Sequence, residues 1–354
     1  MNLDDLQSVR QIDTQDMLSH LVSLPDQLLE AWELGQKLPL PDPQDIRQVL
    51  LTGMGGSAIG AELLAAYAQA TCPVPVVVHR DYDLPGFANG PESLVICSSH
   101  SGNTEETLSS YRLARKRNCR LMVITRGGRL GELAEAESVP FWRFEHDGQP
   151  RAAIGHSFGL LLALFVRLGL IPDQDGAVRA AVKAMRASQE HLGPQVPTPR
   201  NPAKRYAGQL VGRIVTIMAS GVLAPVARRW KGQINEIAKS AAQFEILPEA
   251  DHNTLQGLSF PEKTLNAHSM TLFLESPSDH PRNRLRSSLT RQTFMLEGLG
   301  TDFISARGED QLSHMWTLIL FGDYVAYYLA IANGVDPTPI PALENFKQAL
   351  TEAQ

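Results

Sequence analysis

Three cysteines in 354 residues, Cys72, Cys97 and Cys119, are too few for a disulfide framework and follow no metal or redox spacing, which suits a reducing compartment. Positive charge is not in excess either. The net charge is −6, and the one dense cationic run, Arg112 to Arg117, reads as a solvated helix end, so no nucleic-acid surface is expected. The N-terminus carries no basic region followed by an apolar run, and no apolar stretch of around 18 residues stands out, so a secreted or membrane-spanning chain is not expected and a cytoplasmic one is. The ten histidines read as dispersed, with no H-x-H or H-x-x-x-H pair, and neither a metal nor a cofactor is expected.

What is present begins with SSHSGNTEET, Ser98 to Thr107. It follows the apolar run Leu94-Val95-Ile96-Cys97, a buried strand, and leads into Glu105-Glu106-Thr107-Leu108, the first turn of a helix. A hydroxyl-rich turn at a helix N-terminus is a phosphate site. Unpaired backbone N–H groups and the helix dipole meet there, and Ser99, Ser101 and Thr104 can each donate a further hydrogen bond. A capping box would use the same residues.

A second loop of this kind lies upstream, where Val49-Leu50-Leu51-Thr52 runs into GMGGSAIGAELLAAY, Gly53 to Tyr67. Gly53-x-Gly55, with Asp81 further on, also matches part of a dinucleotide fingerprint, which keeps a nucleotide-dependent oxidoreductase in view. Two hydroxyl-bearing loops on neighbouring strand ends fit one sugar phosphate better.

The chain divides into a helical arm over residues 1–40, an α/β unit over 41–172, a connector over 173–204 and a second α/β unit over 205–354. In the arm, Met17 to Gly35 has helical spacing broken by Pro25, giving two short helices. The connector ends in PQVPTPRNP, Pro194 to Pro202. The second unit repeats the first in weaker form: Arg213 to Gly221 echoes the strand and glycine turn, but Glu275 to Asn283, ESPSDHPRN, offers no comparable anion nest.

Across Pro41 to Leu170, the order strand, GMGGSA, helix, RDY, strand, S-x-SGNT-x-ET resembles the sugar isomerase (SIS) domain family. The segment RRWKGQINEIAKSAAQFEILPEADHNTLQG, Arg228 to Gly257, with PRAAIGHSF, Pro150 to Phe158, extends the likeness to nearly the whole chain, and is similar to the bifunctional phosphoglucose/phosphomannose isomerases. That resemblance implies an α/β protein of two SIS domains, each a mainly parallel, doubly wound, flavodoxin-like sheet. It implies phosphate binding by Gly55, Gly56, Ser57, Ser99, Ser101 and Thr104. Glu236 would be the base between C1 and C2, His252 would open the sugar ring, Arg151 would stabilise the enediolate, and Lys347 would approach the ring oxygen. A homodimer is implied, with His252 reaching across to the neighbour's site.

The chemistry asks for such residues. Moving a proton between adjacent carbons needs one carboxylate that takes it and returns it, and an arginine stays cationic beside the enediolate oxygens. His100 and His156 stand where relatives commonly carry tyrosine, and Asp251 precedes His252, where it would favour the protonated ring. The reaction expected is interconversion of glucose 6-phosphate, and mannose 6-phosphate, with fructose 6-phosphate in carbohydrate metabolism. A sugar-phosphate sensor without catalysis is the alternative.

Overall fold

The computed structural model describes residues 2–353. The arm holds α1 (Leu6–Ile12), α2 (Met17–Val22) and α3 (Leu24–Gly35). The break between the last two falls at Ser23, and Pro25 sits in the first turn of α3, where its missing N–H would have no helical partner anyway.

Then follow β1 (Gln48–Thr52), α4 (Gly55–Ala68), β2 (Val76–His79), β3 (Ser93–Ser99), α5 (Glu105–Lys116), β4 (Arg120–Thr125), α6 (Gly128–Ala136) and β5 (Phe141–Arg143). These strands form one parallel sheet in the order β2-β1-β3-β4-β5. Both faces of the inner strands β1, β3 and β4 are buried, which is why these three are largely apolar runs. Val49, Leu51, Leu94 and Ile96 point to the side of α4, while Leu50, Val95, Cys97 and Val123 point to α5 and α6.

A 3-10 turn (Pro150–Ala152) leads to α7 (Ile154–Arg167) and α8 (Asp175–Gln189). The second half comprises α9 (Pro202–Leu210), β6 (Ile214–Ser220), α10 (Ala224–Glu236), β7 (Ala242–Leu247), α11 (Glu262–His268), β8 (Ser269–Glu275), α12 (Pro281–Leu296), β9 (Thr301–Ser305), α13 (Gln311–Asn333) and α14 (Pro341–Glu352). Its sheet is again parallel, in the order β7-β6-β8-β9. This repeats β2-β1-β3-β4, so the second half has the topology of the first. Two doubly wound sheets are the expected fold class. One continuous core lies between them, built from α3, α4, α7, α10 and α13.

Helix α13 corrects the reading of apolar runs. It is 23 residues long, and its most apolar window has mean hydropathy 1.4, enough by length and composition to cross a membrane. However, 89% of that window is buried inside the molecule. A helix apolar all round is one that packs on every side, and α13 lies against α8, α9 and α10.

Candidate active site

In an open parallel sheet, ligands bind beyond the carboxyl ends of the strands where the strand order reverses, which in the first sheet is between β1 and β3. The two loops singled out in the sequence leave those two strands. After β3, the Ser99 Oγ lies 2.8 Å from the Thr104 Oγ1 and accepts the Gly102 N–H at 3.1 Å. Thr104 precedes α5 in extended conformation without capping the helix through its side chain, so the first-turn N–H groups stay open to a ligand. The Ser101 side chain accepts from the Asn103 N–H at 3.2 Å and is exposed. Gly102 has φ +72°, and a Cβ there would fall 1.8 Å from the Gly127 carbonyl oxygen, so only glycine lets the loop lie on its neighbour.

After β1, Gly55, Gly56 and the buried Ser57 open α4. A Cβ on Gly56 would stand 2.6 Å from the Pro150 carbonyl oxygen. The 3-10 turn therefore rests directly on the glycine loop, and Ser157 donates to the Gly56 carbonyl at 3.3 Å. That contact places Arg151. Its side chain is 4% exposed, its Nη2 donates to the Pro337 carbonyl at 3.1 Å and to that of Thr338, and its Nη1 lies 3.8 Å from the Glu236 Oε2. Nε and Nη1 have no hydrogen-bond partner, so the edge of the guanidinium facing Glu236 is left for another acceptor. Burial lowers the arginine's proton affinity while Glu236 and Glu344 raise it.

Glu236 is the last residue of α10 and remains partly open. It shares a cavity of about 240 Å³ with Gly55, Gly56, Arg80, Arg151 and Arg229, which joins the first sheet's glycine loop to the second half of the chain. Arg229 and Trp230 are buried. The Arg229 Nη2 donates to the Asp323 Oδ2 at 2.6 Å and to the Arg151 carbonyl at 3.2 Å, while Gln233 donates to the Asp323 Oδ1 at 3.0 Å. Burial pushes the Asp323 carboxyl up, and Arg229 draws it back. The signal for this buried support was available: Asp323 is the single acid in the apolar stretch 311–333.

Two predicted residues do not line the cavity of Glu236. His252 is exposed, on the 3-10 turn that follows β7. β7 separates it in the chain from the end of α10, and it does not line the cavity that contains Glu236. Lys347 is exposed on α14, a helix without a buried residue, and does not line the Glu236 cavity. Nor does Asp251 serve His252: its carboxylate takes Arg286 at 2.8 Å and Thr290 at 2.7 Å, fastening the turn to α12.

Four of the ten histidines are not dispersed. His100, between the loop's two serines, has its Nε2 3.1 Å from the His146 Nδ1, and His146 lies with its ring centroid 5.4 Å from His20 and 5.7 Å from His156. Phe144 stacks on His156 and meets His100 edge-on. Burial, with Arg126 and His156 opposing further charge, lowers His100 to about 4. Burial and the neighbouring rings lower His146 to about 3, and burial lowers His156 to about 4. Folded values below the unfolded value near 6.5 mean that the unfolded chain takes up more protons as pH falls, so this stability is whole above about pH 6.5 and is lost toward pH 4. The loss at pH 5 is on the order of 1–2 kcal/mol per ring. Melting temperatures from pH 8 to 5 should therefore fall more steeply for the natural chain than for His146→Gln; parallel slopes would contradict this origin.

Fold and loops together define a doubly wound SIS-domain protein. Residues 199–350 match the family model described as the bacterial phospho-glucose isomerase C-terminal SIS domain. A bifunctional phosphoglucose/phosphomannose isomerase of Caldicellulosiruptor bescii is 39% identical over 338 residues, covering 95% of this chain and 99% of the relative. One of Aquifex aeolicus is 32% identical, covering 85% and 90%. Among solved structures, a hypothetical protein of Thermus thermophilus shares the fold with a TM-score of 0.73 at 17% identity, covering 98% of this chain and 94% of that one. The chain belongs to the bifunctional phosphoglucose/phosphomannose isomerase family.

Proposed function

We propose that this protein interconverts glucose 6-phosphate and mannose 6-phosphate with fructose 6-phosphate by proton transfer through a cis-enediolate. The observation that carries the reading is the approach of Arg151 Nη1 to Glu236 Oε2, 3.8 Å, in a cavity that opens on the glycine loop. The substrate phosphate is assigned to the Ser99–Thr104 loop and the Gly55–Ser57 turn, in the phosphate-binding unit 41–172; the base comes from the unit 205–354. Glu236 removes the proton from C2 of the aldose and delivers it to C1, and reverses this from the ketose. Both aldoses give the same planar enediolate, and one base serves both epimers by rotation of the intermediate about C2–C3, which turns either face of C2 toward Glu236. Arg151 stays cationic beside the enediolate oxygens, where negative charge develops. A sensor without catalysis is less well supported, since the relatives are named as isomerases.

Ring opening is assigned to His252 of a second chain, since in its own chain His252 is exposed and does not line the Glu236 cavity. Leu343, Phe346 and Leu350 give the helix of Lys347 an exposed apolar stripe that a partner subunit would cover. In a homodimer built this way, mixing inactive Glu236→Gln and His252→Ala chains restores up to one intact site per mixed dimer, about a quarter of wild-type activity for random pairing. Exchange of subunits without any recovery would rule out a shared site. The function itself is tested with fructose 6-phosphate in D₂O, followed by NMR. Deuterium entering at C1 and the appearance of both aldose phosphates support it; binding without exchange sinks it in favour of the sensor.

A further inference from the structure

We infer that Lys239 is a positioning residue for the base, tying the end of α10 to the same chain segment that holds Arg151. The inference rests on the isomerase reading above and adds a residue to it. Glu236 closes α10, and the last carbonyls of a helix have no donor within it. Lys239, three residues on, has φ +53°, in the left-handed region, and its side chain returns over that end. Its Nζ donates to the Glu236 carbonyl at 2.8 Å and to the Pro337 carbonyl at 3.1 Å. The Pro337 carbonyl also accepts from the Arg151 Nη2 at 3.1 Å, and the Arg151 Nη1 faces the Glu236 carboxylate.

These contacts close a ring: base, lysine, Pro337 carbonyl, arginine, base. Glycine is the usual residue at a left-handed helix end, so the backbone alone gives no reason for a lysine. The segment carrying Pro337 is anchored separately. Asp336 accepts the Thr338 N–H at 3.0 Å and the hydroxyl of Thr14 in the arm, so it is a fixed post to which Lys239 can tie the helix. A carboxylate that must reach two adjacent carbons at near-contact distance gains from a fixed helix end, whereas the phosphate, held by other loops, does not depend on it. Removing the tether should therefore lower kcat more than it raises KM.

The groups facing the ammonium are Arg151, which opposes its charge, and Asp336 and Glu236, which favour it; with burial as the first cause, its pKa is lowered to about 8. Loss of that proton removes the charge and one donor, so the tether weakens in mildly alkaline solution. The test compares pH profiles of fructose 6-phosphate isomerisation from pH 6 to 10 for wild type, Lys239→Met and Lys239→Arg. Lys239→Met should lose roughly 10- to 100-fold in kcat with KM changed less than about threefold, and its profile should lack the alkaline limb near pH 8. Lys239→Arg should regain most of kcat with the limb moved up by more than about one pH unit, because guanidinium keeps its proton.

A Lys239→Met enzyme within about twofold of wild-type kcat would overturn the inference, as would a Lys239→Arg limb that does not move. If Lys239→Met does not fold, as judged by its melting curve, the Lys239→Arg limb decides alone. A wild-type protein without isomerase activity would remove the functional reading and this inference together, an outcome distinct from an active wild type indifferent to Lys239.

Discussion

Replacing Glu236 with glutamine should reduce kcat by roughly 10²–10⁴-fold and abolish deuterium incorporation at C1 of fructose 6-phosphate, the range expected when a general base is removed. Glutamine keeps the shape of the side chain but cannot take up a proton and return it. The phosphate loops are untouched and the cavity wall is preserved, so KM should change little, which marks an interaction made in the transition state. The fold should tolerate the change, since the carboxylate is partly open and its contact with Arg151 is the loose one of 3.8 Å, while the arginine remains held by the Pro337 and Thr338 carbonyls. Wild-type exchange in the variant would remove Glu236 from the reaction.

Asp323→Ala carries the largest expected effect on stability. Arg229 and Asp323 are both buried, at 3% and 2% exposure, and Asp323 also accepts from Gln233. Truncating the acid leaves a guanidinium in the core without its counter-charge, a change that costs about 3–5 kcal/mol when a buried pair is broken on one side. Urea denaturation should show the loss as a lower midpoint. Replacing both partners, as in Arg229→Met with Asp323→Leu, should recover much of the stability, because two apolar side chains need no solvation. Activity should not recover with it: the methionine cannot donate to the Arg151 carbonyl, the bond that Arg229 makes at 3.2 Å. Equal stability of Asp323→Ala and the double variant would contradict the assignment of the cost to an unpaired charge.

The layout of the first sheet was legible because its evidence is local. An apolar run, a glycine or hydroxyl turn and a helix follow one another within some twenty residues, and the period of the pattern gives each its type. The pairing of Arg151 with Glu236 was reached through motif resemblance, not through spacing. Two things escaped a linear reading. The four histidines lie on four separate segments and show no common spacing, so only the fold of α2 and α7 against the β3 loop and the segment after β5 makes them neighbours. Helix α13 escaped because Asp323, His314 and three tyrosines interrupt its apolar run. Inside the molecule those groups are placed: Asp323 on Arg229, His314 with its Nδ1 3.0 Å from the Ser276 Oγ, and Tyr327 donating to Asp13 at 3.1 Å. The relation of His252 to Glu236 was stated from family likeness, and no single-chain pattern could have carried it.

Arg151 takes its orientation from carbonyls that lie 186 and 187 residues further along the chain. On a ribosome, the loops after β1 and β3 are synthesised well before the segment that holds the arginine, and α13, around which α8, α9 and α10 close, is also made late. The contacts that set Arg151 are thus among the last this polypeptide can make. A chain without Pro337 and Thr338 would lack the two carbonyls that orient the Arg151 guanidinium.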